Sequence, residues 1–291
     1  MPAGDFLERD RRLLVLADLD ALTKRGVRFV EPGEGYLACG WIGKGRLAEP
    51  DEIVAAAEAV LRPEGPLRGT RVLVTAGPTY EDVDPVRYLG NRSSGRMGFA
   101  IAAEAMRRGA DVTLIAGPTS IDPPAVRELV RVRSAVEMHE AVMGRADQMA
   151  VVVMAAAVAD YAPERRADQK IAKQGESITL TLKKNPDILA DLGLRRRAAG
   201  SGPVLVGFAA ETENVVASAS AKRERKHVDV IVANDVSRED AGFEVDANAV
   251  TIVGKDGAES IPLQSKSAVA GAILNHIERL LTWTATPSPS I

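Results

Sequence analysis

The sequence predicts an α/β protein built on a Rossmann-like, mainly parallel sheet with helices on both faces. Two observations lead there. From about residue 70 onward, short apolar runs such as RVLVTA (71–76), DVTLIAG (111–117), PVLVGFAA (203–210) and VDVIVAND (228–235) alternate with segments of helical periodicity. The apolar runs are continuous rather than alternating, as expected of strands covered on both faces.

Taken in order, residues 6–24 read as a polar amphipathic helix ending at Gly26, followed by a short strand over Val27–Val30. Glycines crowd the stretch EPGEGYLACGWIGKGR (31–46), and a helix starts near Pro50–Asp51. RPEGPLRG (62–69) carries two prolines and two glycines without periodicity, and reads as a linker. The domain expectation is therefore 1–64, 65–284 and a flexible tail over 285–291. Within the second part, helices are expected over 98–109, ended by Gly109, and over SAVEMHEAVMGRA (134–146). MAVVVMAAAVA (149–159) reads as a strand running into small residues, and ITLTLKK (178–184) alternates as a strand should. Further helices are expected over PDILADLGLRRRA, opened by Pro186, over 214–227, and over the closing segment 265–283. AVTIVGKDGAESIPL reads as a hairpin with an Asp-Gly turn.

Composition narrows the function. The 291 residues carry 37 Lys+Arg against 40 Asp+Glu, a net charge of -3, which argues against a general nucleic-acid coat. Aromatic residues at 4% leave few platforms for stacking bases. No apolar run approaches the roughly 20 residues of a membrane helix, and MPAGDFLERDRR has no signal-like core. One cysteine and three histidines make an all-protein zinc site a poor expectation. The single cysteine also fits a reducing, cytoplasmic setting.

In such sheets, ligands sit beyond the carboxyl ends of the strands. AGPTYED, AGPTS, AAAVADY, FAAETEN and ANDVSRED are the segments to inspect. GNRSSGRMG (90–98) opens a helix with glycines and small hydroxyls, which suits a phosphate; a capped loop is the plain alternative. It is no P-loop, since Arg96–Met97 replaces Lys–Ser/Thr, and no G-x-G-x-x-G follows the first strand of the alternation. Those absences count against a nicotinamide-dependent reductase, the first rival reading. Small residues Ala155–Ala157 would let a flat ring approach the backbone. Asp160 suits a ribose, a metal-bound phosphate or a helix cap. Lys170 and Lys173 lie in a polar stretch where most lysines are solvated. Lys222 and Lys226 stand four apart on a helix, either as a solvated face or as a clamp on a polyphosphate. Cys39 reads equally as a small buried hydrophobe or a reactive thiol.

VTAGPTYEDVDPVRYLGNRSSGRMG, AAAVADY, KKNPDIL, VGFAAET and ANDVS together resemble phosphopantothenate–cysteine ligase (phosphopantothenoylcysteine synthetase) of the bacterial type, over about residues 66–283. Residues 26–61 resemble the end of a phosphopantothenoylcysteine decarboxylase, whose ACG-x-x-G-x-GR flap carries a proton-donating cysteine. The flavin-binding part is not in this chain. No FMN and no decarboxylation are therefore expected, and Cys39 reads as a relic.

The resemblance implies a CTP-dependent joining of 4′-phosphopantothenate to L-cysteine through an acyl-cytidylate, with Mg²⁺ on the triphosphate and its protein ligands unspecified. It makes Asn91 and Lys170 catalytic. It assigns Ala155, Ala156, Ala157, Asp160, Lys170, Lys183, Lys184, Asn185, Pro186, Phe208, Lys222 and Lys226 to the nucleotide, and Asn91, Ser93, Ser94 and Gly95 to the substrate phosphate. It further implies a cytoplasmic homodimer, with a flavin decarboxylase as an additional partner and neither nucleic acid nor membrane. A non-catalytic scaffold subunit is the second rival, opposed by retention of Asn91 and Lys170.

Overall fold

The computed structural model describes residues 18–19, 21–23, 27, 29–36, 42–61, 64–173, 176–211, 214–235 and 247–285. Most of the helix expected over 6–24, Cys39, and the tail from 286 onward lie outside these residues. The chain divides into two compact units, Met1–Arg62 and Pro63–Ile291.

In the first unit, β1 (Gly33–Tyr36) pairs antiparallel with β2 (Ile42–Arg46). Helix α1 (Pro50–Leu61) follows, with Asp51 and Glu52 in its first turn, where the helix dipole favours acids. The strand expected over Val27–Val30 is absent at residues 27, 29 and 30. The N–H of Val27 instead donates back to the Leu22 carbonyl at 3.1 Å, a helix-terminating bond that takes it out of any ladder.

The second unit runs β3 (Arg71–Ala76), β4 (Tyr80–Asp82), β5 (Tyr88–Gly90), α2 (Arg96–Arg107), β6 (Asp111–Ala116), β7 (Glu128–Arg131), α3 (Ala135–Met143) and β8 (Val151–Met154). It continues through β9 (Tyr161–Pro163), β10 (Leu182–Lys184), α4 (Ile188–Ala199), β11 (Val204–Glu211), α5 (Val215–Arg225), β12 (Val230–Asp235), β13 (Ala247–Gly254), β14 (Gly257–Ser265) and α6 (Lys266–Ala285). One eight-stranded sheet has the order β14-β13-β12-β11-β8-β3-β6-β7. Its six strands from β12 to β7 are parallel, and β13 and β14 extend it antiparallel. The chain runs outward from β3 through β6 to β7, then restarts beside β3 at β8 and runs the other way. The strand order therefore reverses between β3 and β8, where α/β sheets open a ligand crevice.

Alternate residues of the central strands feed two cores. Val72, Val74, Val153, Val206 and Val232 pack on one face with Phe99, Ile101 and Ala105 of α2 and Ile273, Leu274 and Ile277 of α6. Leu73, Val152, Leu205 and Ile231 pack on the other with Met138 of α3, Leu189 and Leu192 of α4, and Ala219 of α5. Burial on both faces explains the unbroken apolar runs in the sequence.

Several expectations are corrected. ITLTLKK forms a strand only over Leu182–Lys184, paired with β9 outside the main sheet. All of residues 178–184 are exposed, so its alternation has no core face to fill. Helix α4 is capped by Asp187, whose side chain accepts the Ala190 N–H at 3.1 Å; Pro186 precedes the cap. The hairpin loop is Lys255–Asp256, with Gly257 just after it at φ 127°. The edge strand β7 and the small β4–β5 hairpin were not foreseen.

Candidate functional site

The loop after β5 leads into α2 through Gly95, which caps the helix in the left-handed region at φ 78°. A Cβ there would also lie 2.8 Å from Thr119 Cγ2. One turn further on, a Cβ on Gly98 would stand 2.6 Å from Ala76 Cβ and 2.8 Å from the Thr75 carbonyl. Glycine at both places lets the start of α2 sit down on the end of β3. The AGPTS strand end supplies Thr119 as the support of this loop. The first N–H groups of α2 have no intrahelical acceptor, and residues Asn91–Gly98 line a cavity of about 480 Å³ at the β3/β8 switch point.

The facing wall follows β8. Ala156 donates its N–H to Thr75 Oγ1 at 3.1 Å, and Ala157 donates to the Gly77 carbonyl at 2.9 Å. Thr79 donates in turn to the Ala157 carbonyl at 3.3 Å. These bonds pin Ala155–Val158 across the crevice from the phosphate-type loop. Asn91 spans it: its Nδ2 donates to the Val158 carbonyl at 2.9 Å. Phe208 and Ala209–Ala210 come from the end of β11, and Asn234 from the end of β12. Asn248 on β13 and Lys266 at the start of α6 close the cavity.

A second cavity of about 170 Å³ adjoins the first, sharing Ala156, Val158, Asp160, Phe208 and Lys222 with it. Its own wall is the Lys184–Asp187 loop with Lys226. Asn185, buried, donates through Nδ2 to the Ala159 carbonyl at 2.8 Å, and its N–H donates to the Asp160 carbonyl at 2.9 Å. Lys222 Nζ donates to the Phe208 carbonyl at 3.0 Å, and Lys226 Nζ to Asp187 Oδ1 at 2.9 Å. Burial pushes the Asp187 carboxyl up, but the bonds from Lys226 and Ala190 and the nearby Lys184 charge outweigh it, so the acid sits below its ordinary value. Lys222 on α5 and Lys226 just past its end thus both face the cavities.

The structure brings together Asn91, Ser93, Ser94, Gly95, Ala155, Ala156, Ala157, Asp160, Lys184, Asn185, Pro186, Phe208, Lys222 and Lys226. It does not bring in Lys170 or Lys183, which are exposed and line neither cavity. Lys183 belongs to β10, paired with Ala162 across the small ladder, one residue short of the lining loop. Lys173 is likewise exposed. Arg96, Asn234, Asn248 and Lys266 were missed as lining residues. Asn234 lies in the strand-end segment ANDVSRED, whereas Asn248 and Lys266 come from the antiparallel extension, away from the parallel strand ends. Cys39 lies outside the described residues. Among the described residues no group of three or more His, Cys, Asp or Glu could hold a metal, and no helix is long and apolar enough to cross a membrane.

Residues 67–281 match the family model of the DNA/pantothenate metabolism flavoprotein C-terminal domain. The chain is 45% identical over 278 residues to the coenzyme A biosynthesis bifunctional protein CoaBC of Bacillus subtilis, covering 94% of this chain and 68% of the relative. The Escherichia coli K12 protein of the same name is 44% identical over 263 residues, 89% of this chain and 64% of the relative. The chain thus spans about two thirds of the length of these relatives. A crystal structure of the C-terminal domain of a CoaBC superposes with a TM-score of 0.64 at 40% identity, covering 75% of this chain and 99% of that one.

Proposed function

The chain belongs to the family of the DNA/pantothenate metabolism flavoprotein C-terminal domain, and from that premise we propose that it is a CTP-dependent phosphopantothenate–cysteine ligase acting in coenzyme A biosynthesis. The observation that supports this most is the joined pair of cavities at the switch point. A helix-start loop of small residues, Asn91–Gly98, stands at one end, and the cations Lys222 and Lys226 stand at the other. That spacing suits two anionic reactants meeting near Asp160, Phe208 and Lys222, three of the five residues common to both cavities.

In the first step, a carboxylate oxygen of 4′-phosphopantothenate bonds to the α-phosphorus of CTP. The α–β phosphoanhydride bond breaks, and pyrophosphate leaves. In the second, the cysteine amine bonds to the acyl carbon, the acyl–phosphate bond breaks, CMP leaves, and the nitrogen gives up a proton. Both steps gather negative charge on oxygen, so the work of the protein is cationic clamping and positioning. Lys184, Lys222 and Lys226 hold the triphosphate, and Ala155–Ala157 with Phe208 take the base. The loop Asn91–Gly95 takes the substrate phosphate. Asn91 uses one amide N–H on Val158 and keeps the other for the acyl carbonyl. Lys170, which lines neither cavity, is assigned to the α-phosphate by the family resemblance alone.

Mg²⁺ would fit this arrangement as a companion of the triphosphate, where it would supply positive charge against the phosphate oxygens. Asp160 is the one carboxylate among the described residues lining the larger cavity, and would hold the ion from the protein side. No flavin enters this reading, which includes a flavin decarboxylase as a partner. The reading also includes a cytoplasmic homodimer, supported by exposed Val86 and Tyr88 around β5 and Tyr161 and Leu182 on β9 and β10, apolar surface suited to a second copy.

Pyrophosphate release on mixing the protein with CTP, Mg²⁺ and 4′-phosphopantothenate, without cysteine, tests the proposal. A burst matching the protein concentration is expected. Its absence, with no phosphopantothenoylcysteine formed on adding cysteine, would overturn it.

A further inference from the structure

We propose that Gly193 is a positioning residue: by lacking a side chain it sets where Lys226 stands, and so how tightly the nucleoside triphosphate is held. The inference rests on the ligase reading, in which Lys226 meets the triphosphate, and assigns a residue that reading does not use. Gly193 lies inside α4, and only proline is a poorer helix former than glycine. It is buried, so no exposed turn asks for it. The reason is a close approach. A Cβ on Gly193 would stand 1.9 Å from the Lys226 carbonyl oxygen and 3.3 Å from His227 Cβ. The chain leaving α5 thus lies directly on α4, in space that any other residue would fill.

That contact belongs to a defined turn. Lys226 is the C-cap of α5; beyond it the Val228 N–H donates to the Arg223 carbonyl and the His227 N–H to the Glu224 carbonyl, both at 3.1 Å. This is the Schellman pattern, whose left-handed residue is usually glycine; here it is His227 at φ 54°. Helix α4 and its cap grip the turn in three ways. Gly193 receives the Lys226 carbonyl, and Arg196 Nη2 donates to the His227 carbonyl at 2.7 Å. Asp187 Oδ1, which also caps α4, accepts Lys226 Nζ at 2.9 Å. The first two fix the main chain of Lys226 and the third its ammonium. A free lysine side chain loses much rotamer entropy when a ligand orders it. Here it is ordered before the triphosphate arrives, which favours binding. The ammonium keeps two further N–H groups for phosphate oxygens.

The test measures KM for CTP and for 4′-phosphopantothenate in the complete ligase assay, for wild type, Gly193→Ala, Arg196→Lys and Lys226→Met. The methyl of Gly193→Ala displaces the Lys226 main chain by about 1 Å, and misplacement on that scale can cost about 10²-fold. KM for CTP is therefore expected to rise about 10- to 100-fold, with KM for 4′-phosphopantothenate within about twofold of wild type. Arg196→Lys is the milder variant. It keeps a cation beside Asp229 but loses the fork that reaches His227, and should raise KM for CTP about two- to fivefold. With Lys226→Met already present, neither substitution should add more than about twofold, because both act through the lysine. KM does not depend on the fraction of enzyme that folds, so lost stability alone moves none of these values. Four results would each overturn the inference alone: unchanged KM for CTP in both variants, unchanged KM for CTP in Lys226→Met, a rise confined to KM for 4′-phosphopantothenate, or an equal rise with Lys226 already removed. A wild-type protein without turnover overturns the ligase reading and the inference with it.

Discussion

The Asp84 carboxylate accepts the backbone N–H of Ile171 at 3.1 Å, and so fixes the residue next to Lys170. Arg87 completes the tie, donating to Asp84 Oδ2 through Nε at 2.9 Å and to the Ile171 carbonyl through Nη2 at 2.9 Å. Four residues earlier, Ala167 donates its N–H to the Val83 carbonyl at 2.9 Å. The segment that carries Lys170 is thus stitched at two points to the loop between β4 and β5, close in sequence to Asn91. The two residues assigned to catalysis are held by one small hairpin.

That arrangement predicts that Asp84→Asn weakens positioning rather than binding. One oxygen becomes an N–H donor that cannot accept Ile171 or Arg87. Pyrophosphate release should slow, while KM for pantothenate derivatives changes little. The same bond has a pH signature. The Arg87 guanidinium, helped by the Val86, Ile171 and Arg87 backbone N–H groups, holds the Asp84 carboxyl well below the ordinary carboxylate range despite its burial. A depressed folded-state value means stability present above the unfolded value of about 4 and lost as pH falls through the folded one. Thermal melts should therefore lose stability below about pH 4 more steeply in wild type than in Asp84→Asn. Parallel acid limbs in the two proteins would show that Asp84 carries none of this linkage.

Lys170→Gln should impair the first chemical step, because it removes a cation where charge gathers on the α-phosphate. Loss of one such preorganised group costs about 10²–10³ in rate. The effect should exceed that of Asp84→Asn, which only loosens the support. Near-normal pyrophosphate release from the variant would remove Lys170 from the mechanism and agree with its exposed position outside both cavities.

Asn91→Asp replaces an amide donor with an anion and places it against the Val158 carbonyl that Asn91 now bonds at 2.9 Å. Cytidylate formation should survive better than attack by cysteine, since the lost N–H serves the acyl carbonyl. The acyl-cytidylate should then accumulate and be seen by mass spectrometry. An equal fall in both steps would make Asn91 a structural bridge between loop and strand end.

The parallel sheet was legible because its strands are covered on both faces and therefore read as unbroken apolar runs. The cavity was legible for the same reason: glycines 95 and 98 and alanines 155–157 mark places where backbone must come close. What escaped was set by contacts distant in sequence. β7 is an edge strand with exposed Glu128 and Arg131, so it lacks the apolar signature. ITLTLKK has the alternation of a strand but meets solvent on both sides. Asn248 and Lys266 enter the cavity only because β13 and β14 add antiparallel to β12, a pairing that no local pattern announces.

Gly98→Ala should destabilise the fold directly. The new methyl would stand 2.6 Å from Ala76 Cβ and 2.8 Å from the Thr75 carbonyl, so α2 must lift off β3. Overpacking of this kind costs about 1–3 kcal/mol. Urea denaturation should show a lower midpoint at unchanged slope. Because α2 carries the phosphate-type loop, KM for 4′-phosphopantothenate should rise as well. A variant as stable as wild type would mean that the helix start has room to move.

The nucleotide preference is the finest point of the reading. Cytosine presents an amino donor beside a ring-nitrogen acceptor and a carbonyl acceptor; uracil reverses the first two. The N–H groups of Ala156 and Ala157 are committed to Thr75 Oγ1 and the Gly77 carbonyl, so neither is free to serve the ring nitrogen. Carbonyl oxygens keep a second lone pair, and those of the Ala155–Ala157 floor can still accept from the cytosine amino group. Against the uracil carbonyl the same oxygens face another acceptor, and Phe208 lines the same cavity. Binding groups matched to a donor are left opposed by an acceptor, and such mismatches discriminate by up to about 10⁴. CTP should therefore turn over at least about 10²-fold faster than UTP at equal subsaturating concentration, with the difference in kcat/KM. UTP is a sharper competitor than ATP, because it matches CTP in ring size and differs only in the edge that is read. Equal rates with CTP and UTP would mean that the lysines grip the triphosphate and the alanine floor ignores the base.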